Sequence, residues 1–163
     1  MKFLFSLLLF CFCIHLYAQI PSPPTIRVDK INIARDNYGV PHIFAPTDPE
    51  VAFGLAWAHA EDDFKTIQTL ILTGKGKLGT YLGKSGAPVD FVFGLLNTRK
   101  VVDQQISSMD PKFLQLLQGY LMGLEAYAKR HPKEVLNKHV FPINIHDYIA
   151  TTMFSVVAVS LKK

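Results

Sequence analysis

His59 and Asp63 stand four residues apart, with Glu61 and Asp62 between them. On a helix that spacing puts an imidazole and a carboxylate on one face, as a metal site would need. A zinc site takes three or four ligands, however, and no second group at suitable spacing follows. His-x-Glu also occurs in zinc deaminases, but their partner Pro-Cys-x-x-Cys has no counterpart here. The favoured reading is a set of polar groups on a helix face, hydrogen-bonded to neighbouring strands. Arg35, Asp36 and His42 gather around a second candidate site. An Arg35–Asp36 ion pair would shape a tight turn, and His42 could serve as a general base. No Gly-x-Ser-x-Gly elbow supplies a nucleophile for it. Gly74-Lys75-Gly76-Lys77 suggests phosphate binding, yet the Walker spacing with its closing Ser or Thr is absent, so a corner between helices is expected.

These residues need elements to position them. Asp36-Asn37-Tyr38-Gly39 separates two short β-forming runs, and Asn and Gly both tolerate positive φ, so a hairpin is expected. Pro41 has no N–H for a ladder and marks its second strand as an edge. Before it, Ile26 to Ala34 alternates imperfectly, which predicts a strand broken or bulged near Lys30. After it, Asp48 is placed to cap, Pro49 to open and Glu50 to charge the first turn of a helix. Phe53, Trp57, Ala60, Phe64, Ile67 and Ile71 then fall at steps of three and four, predicting a long buried helix to about Thr73, stopped by Gly74. Leu78 to Leu82 is at most one helical turn. A second helix is expected over Pro88 to about Ser107, slightly broken by Gly94. Asp110-Pro111 opens a third, with a broad apolar face from Phe113 to Tyr127, ending before His131-Pro132. Lys133 to Asn144 is irregular, and Asp147 starts a last helix, apolar nearly all round and expected to be buried.

The 163 residues suit one domain, and 49% hydrophobic content permits a real core. Met1 to Ala18 reads as a secretory signal peptide, with Lys2 ahead of an apolar run from Phe3 to Ile14. That run is shorter than the roughly 20 residues a membrane span needs. The two cysteines, Cys11 and Cys13, lie in this leader, so residues 19–163 hold neither a disulfide framework nor a cysteine metal site. A lipoprotein anchor on either is disfavoured by Phe10 and Phe12, where a small residue is required. Losing Lys2 leaves sixteen basic against thirteen acidic side chains. No run of basic residues is longer than a pair, such as Arg99-Lys100, Lys129-Arg130 or Lys162-Lys163, which argues against the concentrated stripe of a nucleic-acid binder.

Two stretches carry a resemblance. Arg35-Asp36-x-Tyr38-Gly39-Val40-Pro41-His42-Ile43 and, after a short acidic and proline connection, Phe53-Gly54-Leu55-Ala56-Trp57-Ala58-His59-Ala60-Glu61-Asp62 resemble the start of the small α chain in the penicillin acylase family. These are N-terminal-nucleophile hydrolases of linear amides. Gly74 to Leu78 and Leu82-Gly83 look like the family's glycine-rich segment. Asp63-Phe64 departs from the family's frequent Arg-Leu and, with Thr66-Ile67-Gln68, looks more like the homoserine-lactone and aculeacin acylase branch.

The resemblance implies an α+β protein: an N-terminal hairpin and mostly helical segment, forming an incomplete part of a four-layer αββα hydrolase. It implies a partner, the large β chain of the same precursor, and an acyl-amide substrate such as an N-acyl-homoserine lactone or a β-lactam side chain. The nucleophile would be a serine released after glycine, its own α-amine acting as base. No serine here follows a glycine, and Thr80 after Gly79 lies in the glycine-rich segment. Residues 19–163 are therefore expected to be a partial α chain, inactive alone, periplasmic or secreted, with no catalytic residue and no membrane or nucleic-acid partner. Calcium is implied only for the full enzyme. By the same resemblance the helix from Asp147 lines the acyl pocket, with Met153, Val156 and Ser160 facing inward, although ordinary core packing would explain each as well. The alternative is a secreted helical binding protein complete at Lys163.

Overall fold

The computed structural model describes residues 20–160, so the leader assigned to residues 1–18 lies outside the described residues. Two strands, β1 (Asn32–Arg35) and β2 (Pro41–Phe44), form an antiparallel hairpin with Ile33 opposite Ile43 and Arg35 opposite Pro41. Six helices follow: α1 (Asp48–Gly74), α2 (Gly79–Leu82), α3 (Ala87–Leu96), α4 (Thr98–Gln105), α5 (Pro111–Arg130) and α6 (Ile145–Ser160). The expected strand from Ile26 is replaced over Val28–Lys30 by one turn of 3-10 helix. The break near Lys30 is thus a full change of conformation rather than a bulge.

Helix α1 is the axis of the fold. Its outer face carries Glu61, Asp62 and Lys65, while Phe53, Ala56, Ala60, Phe64, Ile71 and Leu72 are buried. The cap is Thr47 rather than Asp48, and its hydroxyl turns to the Glu50 carboxylate at 2.8 Å instead of to a backbone N–H. At Asp63 the backbone leaves helical geometry (φ −156°, ψ 69°), and the Asp63 carboxylate accepts from Thr66 N at 3.0 Å. Asp63 therefore ends one helical segment and caps the next. The apolar spacing runs through this kink undisturbed.

Gly74 is not the stop. Gly76, at φ 60°, takes the left-handed position, with Gly76 N donating to Thr73 O and Lys77 N to Leu72 O at 2.9 and 2.8 Å. This is the paired-bond ending in which glycine avoids a Cβ clash. Gly74 serves packing instead. A Cβ there would stand 2.7 Å from the Asp147 carbonyl oxygen and nearer still to the Thr151 hydroxyl, so its absence lets α6 lie against α1.

Helix α5 packs along α1 with Leu121, Leu124, Tyr127 and Ala128 in the shared core. Phe64 and Trp57 both meet the Tyr127 ring edge-on, at 5.0 and 5.2 Å between centroids. Asp110 caps α5 as expected, its carboxylate accepting from Lys112 N at 2.8 Å. The single helix expected over Pro88–Ser107 is instead two, α3 and α4, separated by Asn97 in the left-handed region (φ 52°, ψ 32°). Asparagine reaches that region at less cost than most side chains. Gly94, the expected weak point, stays inside α3.

Helix α6 opens at Ile145, with Asn144 accepting from Asp147 N at 2.8 Å. Ile149, Ala150 and Phe154 enter the core, yet Val156 is 63% exposed and Val157 is exposed too. The expectation of burial all round fails because only one side of the helix meets α1, α4 and α5. Among the described residues no helix is long and apolar enough to cross a membrane.

Candidate functional site

The hairpin and α1 bring Arg35, Asp36, His42, His59 and Glu61 to Asp63 into one region, but not in the expected pairs. The Arg35 guanidinium reaches across to α1, contacting Glu61 Oε2 at 3.2 Å and Asp62 Oδ1 at 2.9 Å. It also donates to the Gly39 carbonyl at 2.8 Å and the Ala58 carbonyl at 3.3 Å. Asp36, the partner expected for Arg35, instead accepts from Tyr38 N and Val40 N at 2.9 and 3.0 Å. The Val40 and Tyr38 amides hold its carboxyl below the ordinary carboxylate range. His42 Nε2 lies 3.4 Å from Asp36 Oδ2, on the exposed side of the turn. Glu61 and Asp62 thus bond a strand residue, as expected, while His59 does not: its Nδ1 meets the Tyr120 hydroxyl of α5 at 3.1 Å. These contacts fasten a turn to a helix. They leave no histidine beside a nucleophile.

Several Ser and Thr hydroxyls donate to backbone carbonyls nearby in the chain. Ser160 donates to Val156 O at 2.9 Å, Ser155 to Thr151 O at 3.0 Å and Thr80 to Lys77 O at 2.7 Å. Among the described residues no hydroxyl of Ser or Thr is hydrogen-bonded to a histidine.

What the fold does present is the outer face of α6. Met153 is half-buried and packed on the core, while Val156 and Ser160 are exposed. Their steps of three and four place them in one row along the helix. The helix is anchored at its first turn, a feature that residue spacing did not reveal. Arg99 of α4 bonds Asp147 through Nη1 and Asp103 through Nε, the latter at 3.0 Å. His146 Nδ1 meets the same Asp103 oxygen at 2.6 Å. The Arg99 hydrogen bond, with the His146 bond, draws the Asp103 carboxyl below its ordinary value. A second unforeseen anchor lies at the other end of the fold, where the buried Glu50 carboxylate is wrapped by Arg27. The only sequence signal for it was an acidic residue in the first turn of α1.

The seated last helix and the hairpin clamped to a long helix are the parts of this fold that comparison with known proteins can place in a family. The family model described as penicillin amidase matches residues 30–160. The chain belongs to the penicillin amidase family.

Curated relatives of the chain are acylases by name. The chain is 27% identical over 154 residues to an acyl-homoserine lactone acylase PvdQ of Pseudomonas savastanoi pv. phaseolicola, covering 86% of this chain and 20% of that protein. It is 26% identical over 125 residues to the penicillin G acylase of Escherichia coli, covering 75% of this chain and 15% of that protein. A solved thermostable penicillin G acylase from Alcaligenes faecalis shares the fold at a TM-score of 0.64 and 23% identity, over 78% of this chain and 72% of that one. The chain therefore spans about a fifth or less of the length of these curated relatives.

Proposed function

We propose that this chain is the small-chain portion of a secreted acylase that hydrolyses linear amides, with N-acyl-homoserine lactones or β-lactam side-chain amides as substrates. One observation carries the reading. The chain spans 15% of a curated penicillin G acylase but 72% of a chain in a solved one, which supports a family enzyme made of separate chains, one of them about this size. The large β chain supplies the rest of the αββα fold and the serine nucleophile, whose α-amine takes the hydroxyl proton as it attacks the amide carbonyl. The part played here is selection: Met153, Val156 and Ser160 line the acyl pocket from one side, with Met153 and Val156 as apolar surface for an apolar chain. The leader ends at Ala18 and the enzyme works in the periplasm or outside the cell.

By the same reading, calcium in the full enzyme would draw most of its ligands from the large chain. The test is expression of the full reading frame, N-terminal sequencing of the purified chains and an assay on both amide classes. The reading expects a large chain beginning with serine, a small chain beginning near Gln19, and acyl release. A frame that closes at Lys163, with a product lacking turnover, overturns it in favour of a secreted helical binding protein.

A further inference from the structure

Lys75 directly precedes the left-handed Gly76, and its ammonium does not reach a carboxylate. It donates to three backbone carbonyls of one loop, those of His139, Val140 and Pro142, at 3.2, 2.9 and 2.5 Å. Burial draws the Lys75 ammonium below the ordinary lysine value, against the charges of Asp147 and Glu125. The same loop is held a second time from α1. The fully buried Gln68 donates from Nε2 to Glu134 O at 3.0 Å and accepts from Leu136 N at 2.8 Å. Gln68 in α1 and Lys75 at its C-terminal cap are seven residues apart, on one side of the helix.

This loop leads directly into α6. Next to Lys75, Gly74 lacks the Cβ that would collide with Thr151 and the Asp147 carbonyl. The two consecutive residues therefore set both the backbone that feeds α6 and the depth at which α6 lies.

We propose that Lys75 acts as a built-in cation that gathers the His139–Pro142 carbonyls, making it a positioning residue for the acyl-selecting face of α6. Three converging carbonyl oxygens would otherwise repel one another or require water or a metal cation between them. A tethered ammonium supplies the charge and fixes the loop to the end of α1 at once. The lysine touches no substrate; it acts through the seating of Met153, Val156 and Ser160. This step rests on the acylase reading above.

The experiment uses the full-length protein with acyl amides of graded chain length. Lys75→Met keeps the unbranched stem of the side chain as far as Cε and removes the charged nitrogen. It is expected to lower kcat/KM for the preferred substrate about tenfold, mostly through KM, and to narrow the preference among chain lengths. Lys75→Ala is expected to regain its chain-length preference and its melting temperature in propylammonium, which replaces the deleted atoms, and not in propanol. A Lys75→Met protein with lowered melting temperature but unchanged KM and chain-length ranking overturns the proposal. So does an alanine variant indifferent to propylammonium. Should Lys75→Met fail to fold, Lys75→Ala purified with and without propylammonium decides. If the parent protein itself turns over no acyl amide, the acylase reading fails, while recovery of the melting temperature by propylammonium still reports on the carbonyl cage.

Discussion

Arg27 encloses the buried carboxylate of Glu50, giving Oε1 its backbone N–H at 3.1 Å and its Nε at 2.8 Å, and Oε2 its Nη2 at 3.0 Å. Thr47 adds a fourth bond at 2.8 Å, so both oxygens are doubly satisfied. The segment before the hairpin is thereby tied to the first turn of α1. A charge taken out of water is tolerated only where it is paired and hydrogen-bonded in this way.

The pair gives a pH dependence. The Arg27 hydrogen bond holds the Glu50 carboxyl down from 4.5 to about 2. A depressed carboxyl contributes stability that is present above its unfolded pKa and lost as pH falls through the folded value. Glu50→Gln in the full-length protein should therefore melt below the parent at pH 7. The gap should close between about pH 4.5 and pH 2, a window set by linkage. A gap of constant size across that range, in melting curves of both proteins, would refute the assignment.

Two glycines should respond oppositely to alanine. At Gly123 a Cβ would stand 2.4 Å from the Phe53 carbonyl oxygen, where α5 crosses α1, so Gly123→Ala should cost about 1–3 kcal/mol by overpacking. At Gly94 a Cβ meets nothing within 4 Å, and Gly94→Ala should stabilise α3 by about 0.5–1 kcal/mol. Denaturant unfolding of the two variants checks the pair.

Asp110 satisfies an N–H at the start of α5, the helix that packs along α1. Asp110→Ala should lower stability by about 1 kcal/mol, and Asp110→Ser should recover most of it. Equal losses in both variants, read from denaturant midpoints, would show that the cap bond is not the cause.

Val156 tests the acyl face directly. Because it is 63% exposed in this chain, Val156→Phe should fold normally. Under the proposed function it should shift preference toward shorter acyl chains, by at least about tenfold in kcat/KM between neighbouring lengths, since each methylene in an apolar pocket is worth about 1–3 kcal/mol. An unchanged ranking in competition assays would remove Val156 from the pocket.

The hairpin turn, α1 and the cap of α5 were legible because each rests on local chemistry. Gly39 takes φ 82° in the expected turn, Pro49 fits the first turn of a helix, and Asp110 bonds an amide two residues away. The family was legible too, since Arg35 to Ile43 and Phe53 to Asp62 are read straight along the chain. Periodicity was blind to the interruptions at Asp63 and Asn97, because an apolar face can keep its spacing while one residue leaves helical geometry. Partner choice lay further from reach. Arg35 passes over its neighbour Asp36 for residues of α1, and Arg27 finds Glu50 twenty-three positions away, because the fold brings those groups within hydrogen-bond distance. The last helix shows the same division. Its composition demanded burial, but which side was buried depended on Gly74 admitting Asp147 and Thr151, and on Arg99 seizing Asp147. Hydropathy sums over a segment, whereas packing acts on one side of it, and only the assembled tertiary structure has sides.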